Sequence, residues 1–461
     1  MPVENDTITA IATPIGRAGI GIIRISGPRA EDIVKTLFRP SKAVSNLKSH
    51  HLYLGHLHDP ETGDTIDEVL LSLMRSPDSY TREDVVEINS HSGYMLLSKI
   101  LETVIRQGAR LAEPGEFTFR AFINGRIDLT QAEAVVDLIN SQSLKGLSLA
   151  SQQIKGSFRD CLYGLREETL KLLAQTEAAI DFPEEENEIL SRQVSARKIE
   201  KDIIKPIDSL IKEGSRNRLW VDGVKTIIVG RVNAGKSSLL NRLLDEQRAI
   251  VTPIPGTTRD IVESTVTIEG IPLRLMDSAG FRDVTDEVEE LGIELTRQKL
   301  AEADLILIVI DQSRDIETDD IDLVAKCAGR DALIVLNKID LPPGADRHKL
   351  EEKISGLPVI EVSALTGSGL EGLKKAISRS ILNGEIDMIS SHATSNARHQ
   401  QALKGAASYF RQAAANAQNE APLELMASDL KSGLDALGTI TGETTTEDIL
   451  DSIFSQFCLG K

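Results

Sequence analysis

Gly230-Arg-Val-Asn-Ala-Gly-Lys-Ser237 decides how the middle of the chain is read. It fits G-x-x-x-x-G-K-[ST], the phosphate-binding loop. The apolar run Thr226-Ile-Ile-Val229 before it reads as a buried strand. Leu239-Leu-Asn-Arg-Leu-Leu244 after it has the apolar spacing of a helix. Strand, glycine loop and helix are the context this motif requires. The glycines let backbone N–H groups turn inward around phosphates, and the helix N-terminus adds a partial positive charge. Asn233, Ala234, Gly235 and Lys236 would wrap the phosphates, with the Lys236 ammonium on the β- and γ-phosphates. Ser237 would hold Mg²⁺, with Ser238 beside it.

Outward from this loop, the other parts of a nucleotide site follow in order. Asp277-Ser-Ala-Gly280 ends the strand-like run Leu273 to Met276. The aspartate can hold Mg²⁺ through water, Ser278 and Ala279 continue the loop, and the Gly280 N–H can sense a γ-phosphate. Asn337-Lys-Ile-Asp340 follows the run Leu333 to Leu336. Asp340 can accept two hydrogen bonds from guanine N1–H and the exocyclic amine, which adenine cannot offer; Asn337 and Lys338 complete the motif. Ser363-Ala-Leu365, with Ala364 at its centre, follows Val359 to Val362 and would support the base. Gly256-Thr-Thr-Arg-Asp260 lies where a switch loop belongs, with Thr258 able to complete the Mg²⁺ shell. Phe281 occupies the position where a Ras-like enzyme has its water-orienting glutamine, so another group must orient water. Arg259 and Arg282 are arginine-finger candidates. Alternatively, Asn233 with carbonyls of the loop Thr252 to Thr257 would coordinate a monovalent cation that supplies the same charge. Pro253, Ile254, Pro255 and Gly256 form the body of that loop. The carboxylates of Asp283 to Glu294 read as a solvated helix face, any of which is a candidate for the catalytic role.

The flanks differ in texture. Residues 1–125 mix short strands with two helical stretches, an α+β pattern. Leu52 to Leu57 and Val69 to Met74 read as paired strands around a turn at Glu61-Thr-Gly-Asp64. His56 and His58 share a strand face, which suggests either a metal site lacking a placed third ligand or plain exposed histidines. Residues 126–222 are helical: Leu162, Leu165, Thr169, Leu172 and Thr176 form one stripe, Phe182-Pro183 breaks it, and a further helix is predicted over 196–213. Residues 223–382 hold the nucleotide motifs. Residues 383–461 turn helical again, with Thr444-Thr-Thr-Glu447 predicted as a capping box opening a helix from Asp448 to Phe457. The economical arrangement is one helical domain with the α/β P-loop domain inserted into it. Cys458, in the tail Cys458-Leu-Gly-Lys461, is either an accessible thiol or an incidental one.

The net charge is −18, and each of the four stretches is net negative, which disfavours nucleic-acid binding by bulk electrostatics. The three cysteines (Cys161, Cys327, Cys458) lie far apart, the usage of a reducing compartment. No apolar run approaches the ~20 residues that span a bilayer, so no membrane association is expected. Met1-Pro-Val-Glu-Asn-Asp6 has neither a basic region nor an apolar core, so no signal peptide is expected and a cytoplasmic location follows.

With these residues in place, the chain resembles the MnmE (TrmE) family of tRNA-modification GTPases over its whole length. The resemblance rests on Asp6-Thr-Ile-Thr-Ala-Ile-Ala-Thr-Pro14, Gly21-Ile-Ile-Arg-Ile-Ser-Gly27, Pro114-Gly-Glu-Phe117, Ala179-Ile-Asp-Phe-Pro183, the nucleotide motifs and the Cys-Leu-Gly-Lys tail. It implies a folate-binding-like N-terminal domain that forms a homodimer, an all-α helical domain and an inserted Ras-like G domain. It implies GTP hydrolysis that serves modification of C5 of the wobble uridine of certain tRNAs. The added group is aminomethyl-type, commonly carboxymethylaminomethyl. The work is shared with the flavoprotein MnmG in a heterotetramer or larger, and the one-carbon unit comes from a 5-formyl- or methylene-type tetrahydrofolate. The folate positions matched are Arg24, Glu87, Arg126 and Lys461; Arg126 stands where the family has lysine, which keeps the charge and changes reach and geometry. The resemblance also implies K⁺ on Asn233, Thr252, Ile254 and Thr257, Mg²⁺ on Ser237 and Thr258, water orientation by Glu289, and Cys458 as the reactive thiol. Val232, Ser278 and Leu459 depart from the family's usual proline, threonine and isoleucine while keeping size or polarity. A ribosome-assembly GTPase would share the nucleotide motifs but needs an RNA-binding module, typically basic, which the acidic C-terminal block does not provide.

Overall fold

The computed structural model describes residues 6–14, 16–185, 190–245, 264–276, 300–344, 356–382, 396–457 and 459–460. The chain begins with a seven-stranded sheet ordered β3-β4-β5-β6-β2-β1-β7. Its strands are β1 (Ile8–Ile11), β2 (Gly21–Ser26), β3 (Phe38–Pro40), β4 (His51–His58), β5 (Thr65–Met74), β6 (Val85–Ser90) and β7 (Arg110–Leu111). Period-two patterning sends Ile23, Ile25, Leu57, Val69, Leu71, Leu73, Val86 and Ile88 to one face. There they pack on α1 (Ala30–Leu37) and α2 (Tyr94–Arg106). On the other face Arg24 stands opposite Glu87, while Leu52, Leu54 and Leu70 are exposed. Toward β1 a small core of Ile8, Ala10, Ala112 and Phe117 brings up α3 (Glu116–Ile123).

The helices that follow are α4 (Leu129–Asn140), α5 (Leu144–Ile154), α6 (Ser157–Asp181), α7 (Arg192–Lys198), a π-helical turn (Ile199–Ile204) and α8 (Lys205–Val221). The stripe expected on α6 is buried throughout. The single helix expected over 196–213 is longer at both ends and contains the π turn. Ile199, Ile203, Ile204 and Ile207 all bury there, and the wider turn brings them to one side.

A six-stranded sheet comes next, ordered β13-β12-β11-β8-β10-β9. It comprises β8 (Val224–Val229), β9 (Ser264–Ile268), β10 (Ile271–Leu275), β11 (Leu305–Asp311), β12 (Ala332–Asn337) and β13 (Val359–Glu361). All pairs are parallel except β9 with β10. Both faces are covered, so β11 is apolar at successive positions: Leu305, Leu307 and Val309 enter one core, Ile306, Ile308 and Ile310 the other. The associated helices are α9 (Lys236–Asp245), α10 (Thr318–Lys326) and α11 (Leu370–Leu382).

The chain then returns through α12 (Ala397–Gln418), α13 (Leu423–Thr441) and α14 (Glu447–Phe454). Residues of α6, α7, the π turn, α8, α12 and α13 share one core, so both helical stretches build a single body into which the six-stranded unit is inserted. Trp220, at the end of α8, and Leu149 of α5 are buried in the core of the inserted unit instead. At the return, Glu133 of α4 accepts from Asn396 Nδ2 (3.1 Å), Arg398 Nε (3.0 Å) and Arg398 Nη2 (2.7 Å), with His399 Nε2 at 2.5 Å. The capping box predicted at Thr444 does not form. Thr446 is the N-cap of α14 without a side-chain bond. The Thr444 and Thr445 hydroxyls are taken by the Asp435 and Thr439 carbonyls at the end of α13. The last helix ends at Phe454, short of the expected Phe457. Among the described residues, no helix is long and apolar enough to cross a membrane.

Candidate nucleotide site and a cluster on the N-terminal sheet

The described nucleotide motifs, at residues 230–238, 337–340 and 363–365, gather at the C-terminal ends of the parallel strands β8, β12 and β13, where ligands of open α/β sheets bind. Gly230 follows β8 at φ +147°, and a Cβ there would stand 2.2 Å from the Val309 carbonyl oxygen. Gly235, at φ +94°, is pressed against Asn337: a Cβ would meet its Nδ2 at 2.2 Å. Both positions therefore need glycine. Asn233 has φ +65° and is exposed on the loop, and Ser237 and Ser238 are exposed on the first turn of α9. The Lys236 ammonium turns back onto its own loop, donating to the carbonyls of Gly230 (2.7 Å) and Arg231 (2.8 Å). Burial pushes its pKa below the ordinary lysine range, so an anion at the loop restores what desolvation costs.

The loops expected to read the base are tied to this one. Asn337 Nδ2 donates to the Ala234 carbonyl (2.9 Å), and its Oδ1 accepts from the Ala364 N–H (3.0 Å). The Ser363 hydroxyl donates to Asp340 Oδ1 (2.5 Å) and accepts from the Thr366 N–H (3.1 Å). Asp340 is thus aimed by a serine whose side chain is itself fixed. Leu365 is exposed beside them. Lys338, at φ +70°, reaches Asp311 Oδ2 at 2.6 Å. Burial would raise the Asp311 carboxyl, but the bonds from Lys338 and Ser313 hold it below the ordinary range. Asp311 was not singled out in the sequence; its signal is a carboxylate closing the apolar run Leu305–Ile310. Arg231 was also missed, and it pairs with Glu317 at 2.6 Å.

On the N-terminal sheet, Arg24 Nε meets Glu87 Oε1 at 2.9 Å, and its Nη1 donates to the Gly460 carbonyl at 3.0 Å. The same guanidinium lies 5.6 Å from the Phe117 ring centroid and 5.8 Å from that of Tyr80. Arg126 stacks over Tyr80 at 4.7 Å and donates to its carbonyl at 3.0 Å. Arg24, Glu87 and Arg126, far apart in sequence, therefore meet around Tyr80 beside the C-terminal tail. Tyr80 and Phe117 were not named among the site residues, because an aromatic platform carries no motif of its own. Gly460 fits because a Cβ would stand 2.5 Å from the Ile11 carbonyl oxygen.

Several candidates lie outside the described residues: Thr252, Pro253, Ile254, Pro255, Gly256, Thr257 and Thr258 of the switch loop, and Asp277, Ser278, Ala279 and Gly280 of the third motif. The same holds for Glu289, Cys458 and Lys461. Among the described residues, no group of three or more His, Cys, Asp or Glu side chains is placed to hold a metal ion; His56 Nε2 stands 3.8 Å from Glu68.

A family model described as the MnmE helical domain matches residues 129–458, and one described as the GTP-binding protein TrmE N-terminus matches residues 7–126. The tRNA modification GTPase MnmE of Thermoanaerobacter pseudethanolicus is 46% identical over 458 residues, covering 99% of this chain and 99% of its own. The protein of the same description from Desulforamulus reducens is 43% identical over 465 residues, covering 99% and 100%. Among solved structures, the G domain of the T. maritima FeoB iron transporter aligns with 34% of this chain and 98% of its own at 26% identity, with a TM-score of 0.25.

Proposed function

The chain belongs to the MnmE (TrmE) family of tRNA modification GTPases, and from that membership we propose that its GTP hydrolysis drives carboxymethylaminomethyl- or aminomethyl-type modification at C5 of the wobble uridine of certain tRNAs, in the cytoplasm and together with the flavoprotein MnmG. The observation that carries this reading is the cluster in which Arg24 meets both Glu87 and the C-terminal tail while Arg126 stacks on Tyr80 beside it. An arginine–carboxylate pair beside two aromatic rings suits a flat, hydrogen-bonding heterocycle such as the pterin of a tetrahydrofolate. That group would supply the one-carbon unit; the protein's residues would orient it, and we assign Lys461 to holding it and Cys458 to the reactive thiol.

The GTP site works by positioning and charge. Gly235 leaves room for the loop to close on Asn337, Lys236 exchanges carbonyls for phosphate, and Asp340, held by Ser363, reads guanine. We assign Mg²⁺ to Ser237 and Thr258, and K⁺ to Asn233, Thr252, Ile254 and Thr257, where it would supply the positive charge of an arginine finger. We assign Glu289 to orienting the attacking water. The domain limits that go with this reading are 1–125, 126–222, 223–382 and 383–461. The exposed Leu52, Leu54 and Leu70 on the open sheet face favour a homodimer through the N-terminal domain.

Nucleoside mass spectrometry of bulk tRNA tests the reading. A strain lacking this protein should lose the modified wobble uridine and regain it with the intact chain but not with Cys458→Ser. If the modified uridine persists without the protein, the pathway assignment falls.

A further inference from the structure

A cavity of about 500 Å³ opens where the N-terminal unit meets the helical body. Its wall includes Phe122 from α3, Arg126 and Asp128 from the connection between α3 and α4, Arg159 and Tyr163 from α6, and Glu443 beyond α13. Its volume suits a nucleoside-sized ligand. Two guanidinium groups and the carboxylates of Asp128, Asp160 and Glu443 face it, so it is no phosphate site; it suits a neutral ring with both donors and acceptors.

The wall also holds an orphan. Asp128 Oδ1 caps α4, accepting from the Gln131 N–H (2.9 Å) and the Thr130 hydroxyl (2.6 Å). Oδ2 is buried and has no hydrogen-bond partner among the described residues. Its ion-pair contact, Arg159 Nε, stops at 3.9 Å, because that guanidinium is engaged by Asp160 at 2.8 Å. A buried carboxylate oxygen without a donor is costly, which makes it a candidate for a donor brought by a ligand. A turn of the part-exposed Arg159 would open it to the cavity.

We propose that this cavity receives the target base of the tRNA as a flipped-out uracil, with N3–H donated to Asp128 Oδ2 and the flanking carbonyls facing Arg159 and Arg126. This rests on the tRNA-uridine reading above and deepens it. Uracil offers one N–H between two acceptors. Cytosine has an acceptor at N3, so two acceptors would face each other. Guanine pairs best with both oxygens of a carboxylate, and here Oδ1 is already committed to the helix cap. Phe122 and Tyr163 provide faces for stacking. Arg126 lines the cavity and also stacks on Tyr80, so the base would lie next to the proposed one-carbon site.

Asparagine at position 128 separates the cap from the base reading. Its oxygen keeps the cap, while its amide presents a donor where the carboxylate accepted. The experiment measures binding of anticodon stem-loop RNAs, with U or C at the target position, to the full-length chain together with its proposed flavoprotein partner. The intact chain should favour U by about tenfold or more. Asp128→Asn should reduce the ratio to about one or reverse it; because both RNAs meet the same preparation, partial misfolding leaves the ratio interpretable. An unchanged ratio in the variant, or none in the intact chain, overturns the proposal and leaves the tRNA reading standing. If the variant does not fold, photo-crosslinking of the intact chain to a stem-loop with 4-thiouridine at the target decides. Crosslinks at Phe122 or Tyr163 support the cavity, and crosslinks only elsewhere overturn it. Loss of the parent reading shows separately, as tRNA nucleosides unaffected by deleting the protein.

Discussion

Asn337 spends both ends of its amide inside the protein, one on the phosphate loop and one on the base-supporting loop. Asn337→Ala leaves the Ala234 carbonyl and the Ala364 N–H without that partner, at roughly 1–3 kcal/mol each. The expected result is a lower melting temperature and GTP affinity weakened by at least tenfold; unchanged affinity by nucleotide titration would refute the bridging role. The sequence marks Asn337 as part of a guanine motif, but a contact spanning 103 residues has no sequence signature. The same gap hides Asp137. Burial, with the Glu133 and Asp222 carboxylates adding to it, raises its pKa to about 7. A raised carboxyl binds its proton more tightly when folded, so its unfavourable contribution grows as pH rises from about 4 to about 7 and is constant above. Asp137→Asn should therefore gain roughly 2–4 kcal/mol at pH 8 and little at pH 4. Glu133 has the opposite sign. Burial alone would raise it, yet His399 and Arg398 hold it at about 2, so its stabilisation is present above pH 4.5 and is lost as pH falls toward 2. Equal pH profiles of melting for the intact chain and Asp137→Asn would refute the assignment.

Two glycines in adjacent helices show what an element's sequence conceals. Gly405 in α12 faces open space: a Cβ there meets nothing within 4 Å. Gly433 in α13 lies under Phe410, and a Cβ would stand 2.3 Å from its ring. Helix propensity favours alanine at both by roughly 1 kcal/mol. At Gly433 the buried ring cannot yield cheaply, and overpacking costs about 1–3 kcal/mol. Gly405→Ala should raise the melting temperature and Gly433→Ala should lower it; the same sign for both would show that α12 and α13 do not pack as described. Element type was legible because period and punctuation are local: the stripe on α6, the break after Asp181, the apolar parallel strands. The π turn and the failed Thr444 box were not. The first depends on which side four isoleucines must reach, the second on carbonyls at the end of α13 that compete for the hydroxyls.

At the scale of the molecule, insertion of the P-loop unit into a helical body was legible from the order of textures along the chain, and one shared helical core bears it out. The N-terminal sheet face was not. Alternation identifies two faces, and only packing tells which one the helices cover. They cover the face of Leu57 and Leu71, leaving Leu54 paired across the strands with Leu70 in solvent and Leu52 alongside. Burying each leucine in a second copy would contribute roughly 1.5–3 kcal/mol, and charge there opposes association. The double change Leu54→Glu and Leu70→Glu touches no described core, so the fold should survive. Light scattering should then show a species of the single-chain mass, 50.3 kDa, where the intact chain gives twice that. A double variant that remains dimeric would move the dimer contact off this sheet face. GTP turnover in K⁺ and Na⁺ then tests a second association, that of the inserted domains with each other. If the inserted domains close on each other around the cation, the variant should keep faster hydrolysis in K⁺ but need more protein to reach it, since its two copies are no longer tethered. Equal rates in both salts for the intact chain would remove the cation from the mechanism whatever the dimer does.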